Sequence, residues 1–372
     1  MLIKCDSFKN IMNHIMQQNK RIIMFGAGAI GKVVMPEILH AYNMDRYVEC
    51  YIDNDCKKWG TVLSTTVGEI NVFSPDILKQ YENQNVVIFI NVSRFSAVKD
   101  QLENMPETRK MECYFSAMLC LYNFEKNALD KVKIDDKIQK IPKVIHYIWL
   151  GEKEIPDALK KCMESWYKYC PDYEIKCWNE HNYNFEKNIY MKQAYARKAY
   201  GFVPDYARLD ILYNYGGIYM DTDVELIKNI DDLLYQDAFC GVEKWQILNF
   251  GGCSGSVKGN KSIKSILDAR ETLCFINPDN SENRNTCGYY DTATAIRMGY
   301  KINGSSQKVG DLMIYSSDYF HPYDYMSGRT HMSPNTYSIH HFNGGWLNDA
   351  QRAANQLAID QFNDLYNIAE RV

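Results

Sequence analysis

The sequence predicts an α/β protein made of two domains. Three observations carry that expectation. A strand–glycine turn–helix unit lies near the N-terminus, a charged and weakly patterned stretch surrounds residue 130, and a fresh alternation of strands and helices follows it. A chain of 372 residues has room for two domains, since one domain usually takes about 100–200 residues. The expected boundaries are 1–128 and 138–372, with Leu129–Lys140 (LDKVKIDDKIQK) as the linker.

In the first half, Arg21–Phe25 (RIIMF) is a short apolar run and reads as a buried strand. It leads into Gly26, Gly28 and Gly31, spaced G-x-G-x-x-G, and a helix is expected from Ile30 to Tyr42. Tyr47–Ile52 and Val86–Asn91 read as two more strands, with a helix start at Ser74–Pro75 between them. The first of these ends at Asp53. This is the layout of a small Rossmann-like unit, in which the glycines admit a pyrophosphate and the acidic residue takes ribose hydroxyls. Two features depart from that layout. The interval from Gly26 to Asp53 is 27 residues (53 − 26), against the usual ~20. Roughly three strands are visible where a full fold has about six. Two readings therefore stand: a nucleotide site at Gly26, Gly28, Gly31 and Asp53, or a scaffold.

The second half restarts with Ile141–Leu150 (IPKVIHYIWL), a proline-punctuated strand. A helix over about 157–169 and a strand at Glu174–Trp178 follow. Pro204 suits the first turn of a helix running to Tyr215, and Gly216–Gly217 end it. Ile218–Met220 is then a short strand that runs into Asp221.

Composition excludes several classes. The net charge is −4, without the clustered basic face that nucleic-acid binding requires. Twelve cysteines are scattered without C-x-x-C spacing, which suits free thiols in a reducing compartment. The first twenty residues lack the continuous apolar core of a signal peptide, and no run of about 18 apolar residues marks a membrane span. The expected location is cytoplasmic, and peripheral contact with the inner face of a membrane is compatible with it.

The chemistry concentrates in Phe202–Glu225 (FVPDYARLDILYNYGGIYMDTDVE). Asp221 and Asp223 are two apart, so on an extended chain their carboxylates face the same side. Such a pair can hold a divalent cation, Mn2+ or Mg2+, and leave room for diphosphate oxygens. Upstream, Asp205 and Arg208 are three apart on the predicted helix and share a face. An arginine so placed can fix sugar hydroxyls by bidentate hydrogen bonds. The competing reading is an exposed helix ion pair of little consequence.

The whole string, D-x-x-R and then G-G-x-Y-x-D-x-D, resembles the sugar-binding D-x-D region of glycosyltransferase family 32, and also the catalytic domain of the large glucosylating toxins. That family includes outer-chain mannosyltransferases and bacterial capsule enzymes. The likeness extends upstream to Ile141–Gly151 and downstream to Ser338–Trp346 (SIHHFNGGW). It implies a GT-A fold, with one mixed sheet, and retention of anomeric configuration. It also implies a metal shell of Asp221, Asp223 and a histidine. His341 fits the downstream frame best, with His340 as competitor. Donor-binding roles are implied for Trp149, Asp205, Arg208, Tyr219, Asp221, Thr222 and Trp346. Trp149 would stack on the base unless it is a core residue, and His146 reads as structural. Asn249–Gly252 (NFGG) would lie near the sugar. The family's Thr-Gly-Pro is replaced here by the stretch around Thr286–Tyr289, which leaves the role of Asp291 open.

The expected function is thus transfer of a hexose or N-acetylhexosamine from a nucleotide sugar, with a UDP-sugar favoured. The acceptor would be a saccharide or lipid-linked oligosaccharide in surface or capsular polysaccharide synthesis. The alternative is a nucleotide- or NAD-binding, sugar-modifying oxidoreductase using the first half. No Tyr-x-x-x-Lys in a convincing context supports it. A phosphatase built on Asp221 and Asp223 is disfavoured by the three-residue strand before them, and a decayed, merely sugar-binding site by the intact Asp205–Arg208 pair.

Overall fold

The computed structural model describes residues 1–81, 85–93, 95–124, 132, 138–151, 153–285, 287–343 and 349–369. The expected linker falls mostly outside these residues.

The first half contains strands β1 (Leu2–Lys4), β2 (Arg21–Phe25), β3 (Val48–Ile52), β4 (Val62–Thr65), β5 (Gly68–Phe73), β6 (Val86–Ile90) and β7 (Glu112–Phe115). Its helices are α1 (Phe8–Gln17), α2 (Met35–Ala41), α3 (Phe95–Asn104) and α4 (Ser116–Phe124). The strands form one sheet in the order β1-β7-β6-β2-β3-β5-β4, parallel throughout except for β4. The chain winds outward in both directions from β2, as a doubly wound sheet does. The half is therefore not truncated to three strands. The central strands were visible because both faces are buried, giving continuous apolar runs. The β4–β5 hairpin is largely exposed and mixed in character, so it carried no such signal.

The glycine turn follows β2. Gly26 has φ +101°, and a Cβ on Gly31 would lie 2.0 Å from the Gly26 carbonyl oxygen. The helix after the turn begins as a π-helical stretch over Ile30–Val34 and continues as α2. Asp53 does not stand open toward solvent. Its carboxylate accepts the Ala27 N–H (2.8 Å), the Asp55 N–H (2.9 Å) and Lys58 Nζ (2.9 Å).

The second half contains β8 (Val144–Ile148), β9 (Glu174–Trp178), β10 (Gly217–Tyr219), β11 (Val224–Leu226), β12 (Ala238–Val242), β13 (Leu248–Asn249), β14 (Ser254–Ser256), β15 (Gln307–Val309), β16 (Leu312–Tyr315) and β17 (Ser338–His340). Its helices are α5 (Asp157–Tyr169), α6 (Ile189–Ala196), α7 (Pro204–Tyr215), α8 (Lys261–Asp268), α9 (Cys287–Arg297), α10 (Ser317–Phe320) and α11 (Asp349–Ala369). Eight strands form a mixed sheet, ordered β15-β16-β12-β14-β10-β8-β9, with β13 on β12. β11 and β17 form a separate antiparallel ribbon.

Two local features fix the site's frame. Helix α7 starts at Pro204 and ends at Gly216, whose φ of +72° stops it. From Asp205 to Leu212 every residue of α7 is buried, so its charged side chains need partners inside the protein. On β8, His146 is buried; its Nε2–H donates to the Gly216 carbonyl (2.9 Å), and its Nδ1 accepts the Trp178 indole N–H (3.2 Å). Burial, opposed by the Gly216 bond, pushes its pKa down to about 4. His146 is thus a neutral ring that ties the end of α7 to the sheet.

A single apolar cluster runs through both halves. Phe362 of α11 lies across Phe95 of α3 and Phe115 of β7, with ring centroids 6.2 and 5.8 Å apart.

Candidate active site

After β10 the chain does not stay extended. It turns, closed by the Val224 N–H on the Asp221 carbonyl (3.1 Å), and this turn brings Asp221 and Asp223 together. β11 then pairs with β17 in a register that sets Val224 opposite His340. Neighbouring residues on a strand point to opposite faces, so the ribbon selects between the two histidines. His340 Nε2 lies 3.3 Å from Asp223 Oδ1. His341, expected to complete the shell, turns away and pairs with Glu225 Oε2 at 2.9 Å. Ligand atoms of Asp221, Asp223 and His340 all fall within 4.8 Å of one another.

The segment after β17 also grips Asp223 through its backbone. The His341 N–H donates to the Asp223 carbonyl (3.1 Å) and the Asn343 N–H to its Oδ2 (2.9 Å). Burial alone would push the Asp223 carboxyl up. The charge and hydrogen bond of His340, with the Asn343 N–H, outweigh it and hold the group at about 2. Burial would lower the His340 pKa, and the facing Asp223 carboxylate raises it instead. The His340 ring stacks on Phe342, centroid to centroid 4.0 Å.

Asp205 and Arg208 form no surface pair. Both side chains are buried, and Arg208 Nη2 lies 3.5 Å from both Asp205 Oδ1 and Asp221 Oδ1. The guanidinium also faces the Tyr219 ring at 5.3 Å, and the Tyr219 hydroxyl donates to Asp221 Oδ1 (2.9 Å). Burial raises the Asp205 pKa to about 6 against the pull of Arg208 and Arg270.

Gly251 fits against this group. A Cβ there would lie 2.1 Å from Asp221 Oδ2 and 2.8 Å from Arg208 Nη1. The loop is held by Asn249, whose Oδ1 accepts the N–H groups of Gly251 (2.7 Å) and Gly252 (3.2 Å) while its Nδ2 donates to Glu243 (2.7 Å).

Arg270 was not anticipated, and Asp291 had no assigned role. They form a buried ion pair, Nε to Oδ1 2.7 Å, and Arg270 also donates to the Cys287 carbonyl (2.8 Å). No sequence motif marks Arg270. Trp149 is half-buried on the loop after β8, its indole N–H on the Lys153 carbonyl (2.8 Å). Thr222 is half-buried in the acidic turn. Trp346 and Thr286 lie outside the described residues.

Residues 156–240, which include Asp205, Arg208, Asp221 and Asp223, match the family described as a glycosyltransferase sugar-binding region containing a DXD motif. An uncharacterised glycosyltransferase of Acanthamoeba polyphaga mimivirus is 29% identical over 189 residues, which cover 49% of this chain and 73% of the viral protein. The chain is a glycosyltransferase. Among other relatives of the enzyme, inositol phosphoceramide mannosyltransferase 1 of Schizosaccharomyces pombe is 30% identical over 121 residues, covering 30% of this chain and 36% of the fungal protein. Inositol phosphoceramide mannosyltransferase 3 of the same yeast is 31% identical over 137 residues, covering 33% and 37%. The matched stretch thus spans little more than a third of these fungal relatives. Among solved structures, the PaToxG glycosyltransferase aligns with a TM-score of 0.35 at 17% identity, covering 55% of this chain and 78% of that one.

Proposed function

We propose that the enzyme is a GT-A type, retaining transferase that moves a hexose or N-acetylhexosamine from a nucleotide sugar to a saccharide or lipid-linked acceptor. The convergence of Asp221, Asp223 and His340, with Arg208 behind Asp221, carries this reading. Two carboxylates and an imidazole are a donor set that suits Mn2+ or Mg2+. The facing Asp223 carboxylate raises the His340 pKa, so the pocket favours positive charge there. Asp221, Asp223 and His340 would hold the ion. When bound, it supplies charge to the diphosphate as the glycosidic bond breaks.

The chain's own residues do the rest. Asp205 and Arg208, fixed by burial, orient the donor sugar. Tyr219 holds the Asp221 carboxylate in one rotamer through its hydroxyl. Trp149, half-buried beside the sheet, offers a face to the base, and Trp346 is assigned to closure over the diphosphate by the resemblance alone. The acceptor hydroxyl attacks from the face the nucleotide leaves, and the departing phosphate takes its proton. The family resemblance favours a UDP-sugar, while the names of the fungal relatives add mannose to the candidates. Surface or capsular polysaccharide synthesis at the inner face of the membrane is the setting we infer. All twelve cysteines are free, as a reducing compartment requires, and no described helix is long and apolar enough to cross a membrane.

For the first half (1–128) we propose a scaffold role, because the Asp53 carboxylate is already engaged by Ala27, Asp55 and Lys58. Saturable binding of NAD or a nucleotide to a form altered only at Asp223 would overturn that part.

The deciding experiment is a panel of UDP- and GDP-sugars with Mn2+ or Mg2+, scored for release of nucleoside diphosphate. Asp223→Asn is expected to fold and to lose both transfer and cation-dependent donor binding. Parent-rate transfer by that variant would defeat the metal reading.

A further inference from the structure

We propose that Arg352, on α11, is a positioning residue for the donor site, and that the first half of the chain is the abutment that holds it in place. The inference rests on the proposed cation site at Asp223. Arg352 Nη1 donates to the Asn343 carbonyl at 3.0 Å. The N–H of that same residue donates to Asp223 Oδ2 at 2.9 Å. The two bonds grip opposite ends of one residue, so they fix its backbone and with it the direction of the donor that meets Asp223.

The segment needs such a grip. Phe342, just before Asn343, has φ +48°, a left-handed conformation that a bulky side chain avoids unless its surroundings impose it. One restraint is the stack of Phe342 on His340. Arg352 is another, acting from outside the ribbon.

Arg352 can act as a restraint because α11 is itself anchored. Ten residues further along α11, about 15 Å at helical rise, Phe362 is fully buried against Phe95 and Phe115 of the first half. Gln361 accepts the Ser96 hydroxyl beside it. On the other side Asn363 donates to the Ser327 carbonyl (2.7 Å) and accepts Arg329 Nε (3.0 Å). The helix is thus a strut between the core of the first half and the strand end that serves Asp223. This gives the first half a part in transfer without a ligand of its own.

The test uses the full chain. Mn2+ binding to the donor-free protein is measured by titration calorimetry, alongside KM for the donor and kcat. Arg352→Ala should weaken Mn2+ roughly tenfold, the scale on which outer-shell partners of a metal site act, and raise the donor KM. Arg352→Lys, which keeps a donor, should recover most of the loss. Gln356→Ala, an exposed change on the same helix, should match the parent. Parent-like Mn2+ affinity in Arg352→Ala, or a lysine variant no better than alanine, overturns the proposal while leaving the cation site standing. A parent that takes up no Mn2+ overturns both. Should the alanine variant fail to fold, Arg352→Met keeps the stem without the donors and must show the same loss. Parent-like binding there is equally fatal.

Discussion

Arg208 and Asp221 approach to 3.5 Å beside Gly251, a position where a side chain would strike both of them. The arginine and the first acidic residue of the turn are therefore one packed unit. Glycine is required at 251 by space, and the Asp221 N–H on the Gly251 carbonyl (2.8 Å) ties the two backbones.

Gly251→Ala is accordingly expected to cut kcat/KM by about a hundredfold, because the methyl must push the carboxylate or the guanidinium out of place. Overpacking of this kind costs about 1–3 kcal/mol of stability, so a cooperative urea transition should survive at a lower midpoint. Steady-state kinetics with the best donor from the sugar panel check the first part, and unchanged kinetics would remove Gly251 from the site.

The two adjacent histidines should separate cleanly. His340→Ala removes a donor from the Asp221–Asp223 cluster and is expected to weaken Mn2+ by at least tenfold and to abolish most transfer. His341→Ala breaks only the contact with Glu225 and should leave Mn2+ affinity within about threefold of the parent. Calorimetry on both variants decides the matter, and the reverse ranking would restore His341 as the ligand.

Acid stability should report on Glu112 in the first half. Its carboxylate meets Lys4 at 2.6 Å, His14 at 2.7 Å and Lys20 at 3.1 Å. Burial would raise its pKa, but these partners together hold it at about 2. A carboxyl lowered in this way stabilises the folded state above its unfolded pKa of about 4.3. That contribution is lost as pH falls through the folded value, here between about 4 and 2. A shift of this size corresponds to roughly 3 kcal/mol by proton linkage, an upper figure because the group is partly solvated. Urea melts of the parent and of Glu112→Gln at pH 7 and pH 3 should show the parent's advantage shrinking with acid. A constant difference would assign the effect to packing.

Much of the site was legible because its residues are close in sequence. Asp205, Arg208, Tyr219, Asp221 and Asp223 sit on one helix, one strand and one turn, and the helix ends at Pro204 and Gly216 were marked by residue type. The spacing of the acidic pair is legible but its geometry is not, since a closed turn and not strand alternation brings the carboxylates together. The choice between His340 and His341 was not legible. It depends on the register of β17 against β11, and two neighbouring histidines give no periodicity to read. Arg270 is hidden for a related reason: it lies in the turn after α8 while its partner Asp291 lies on α9, and nothing local links them. In the first half, strands buried on both faces announced themselves, whereas the exposed β4–β5 hairpin and the short β1 and β7 did not.

The β11–β17 ribbon has a consequence for synthesis. Asp223 and His340 are 117 residues apart (340 − 223), yet three residue pairs of a two-stranded ribbon bring them side by side. Closing so long a loop costs entropy before any contact repays it, and the contact cannot form until the ribosome has delivered both partners. A nascent chain that has already folded its first sheet, and even the acidic turn, still lacks the imidazole. On the proposed cation site, the full set of ligands would thus be assembled only late in translation, and an interrupted chain would lack its third member.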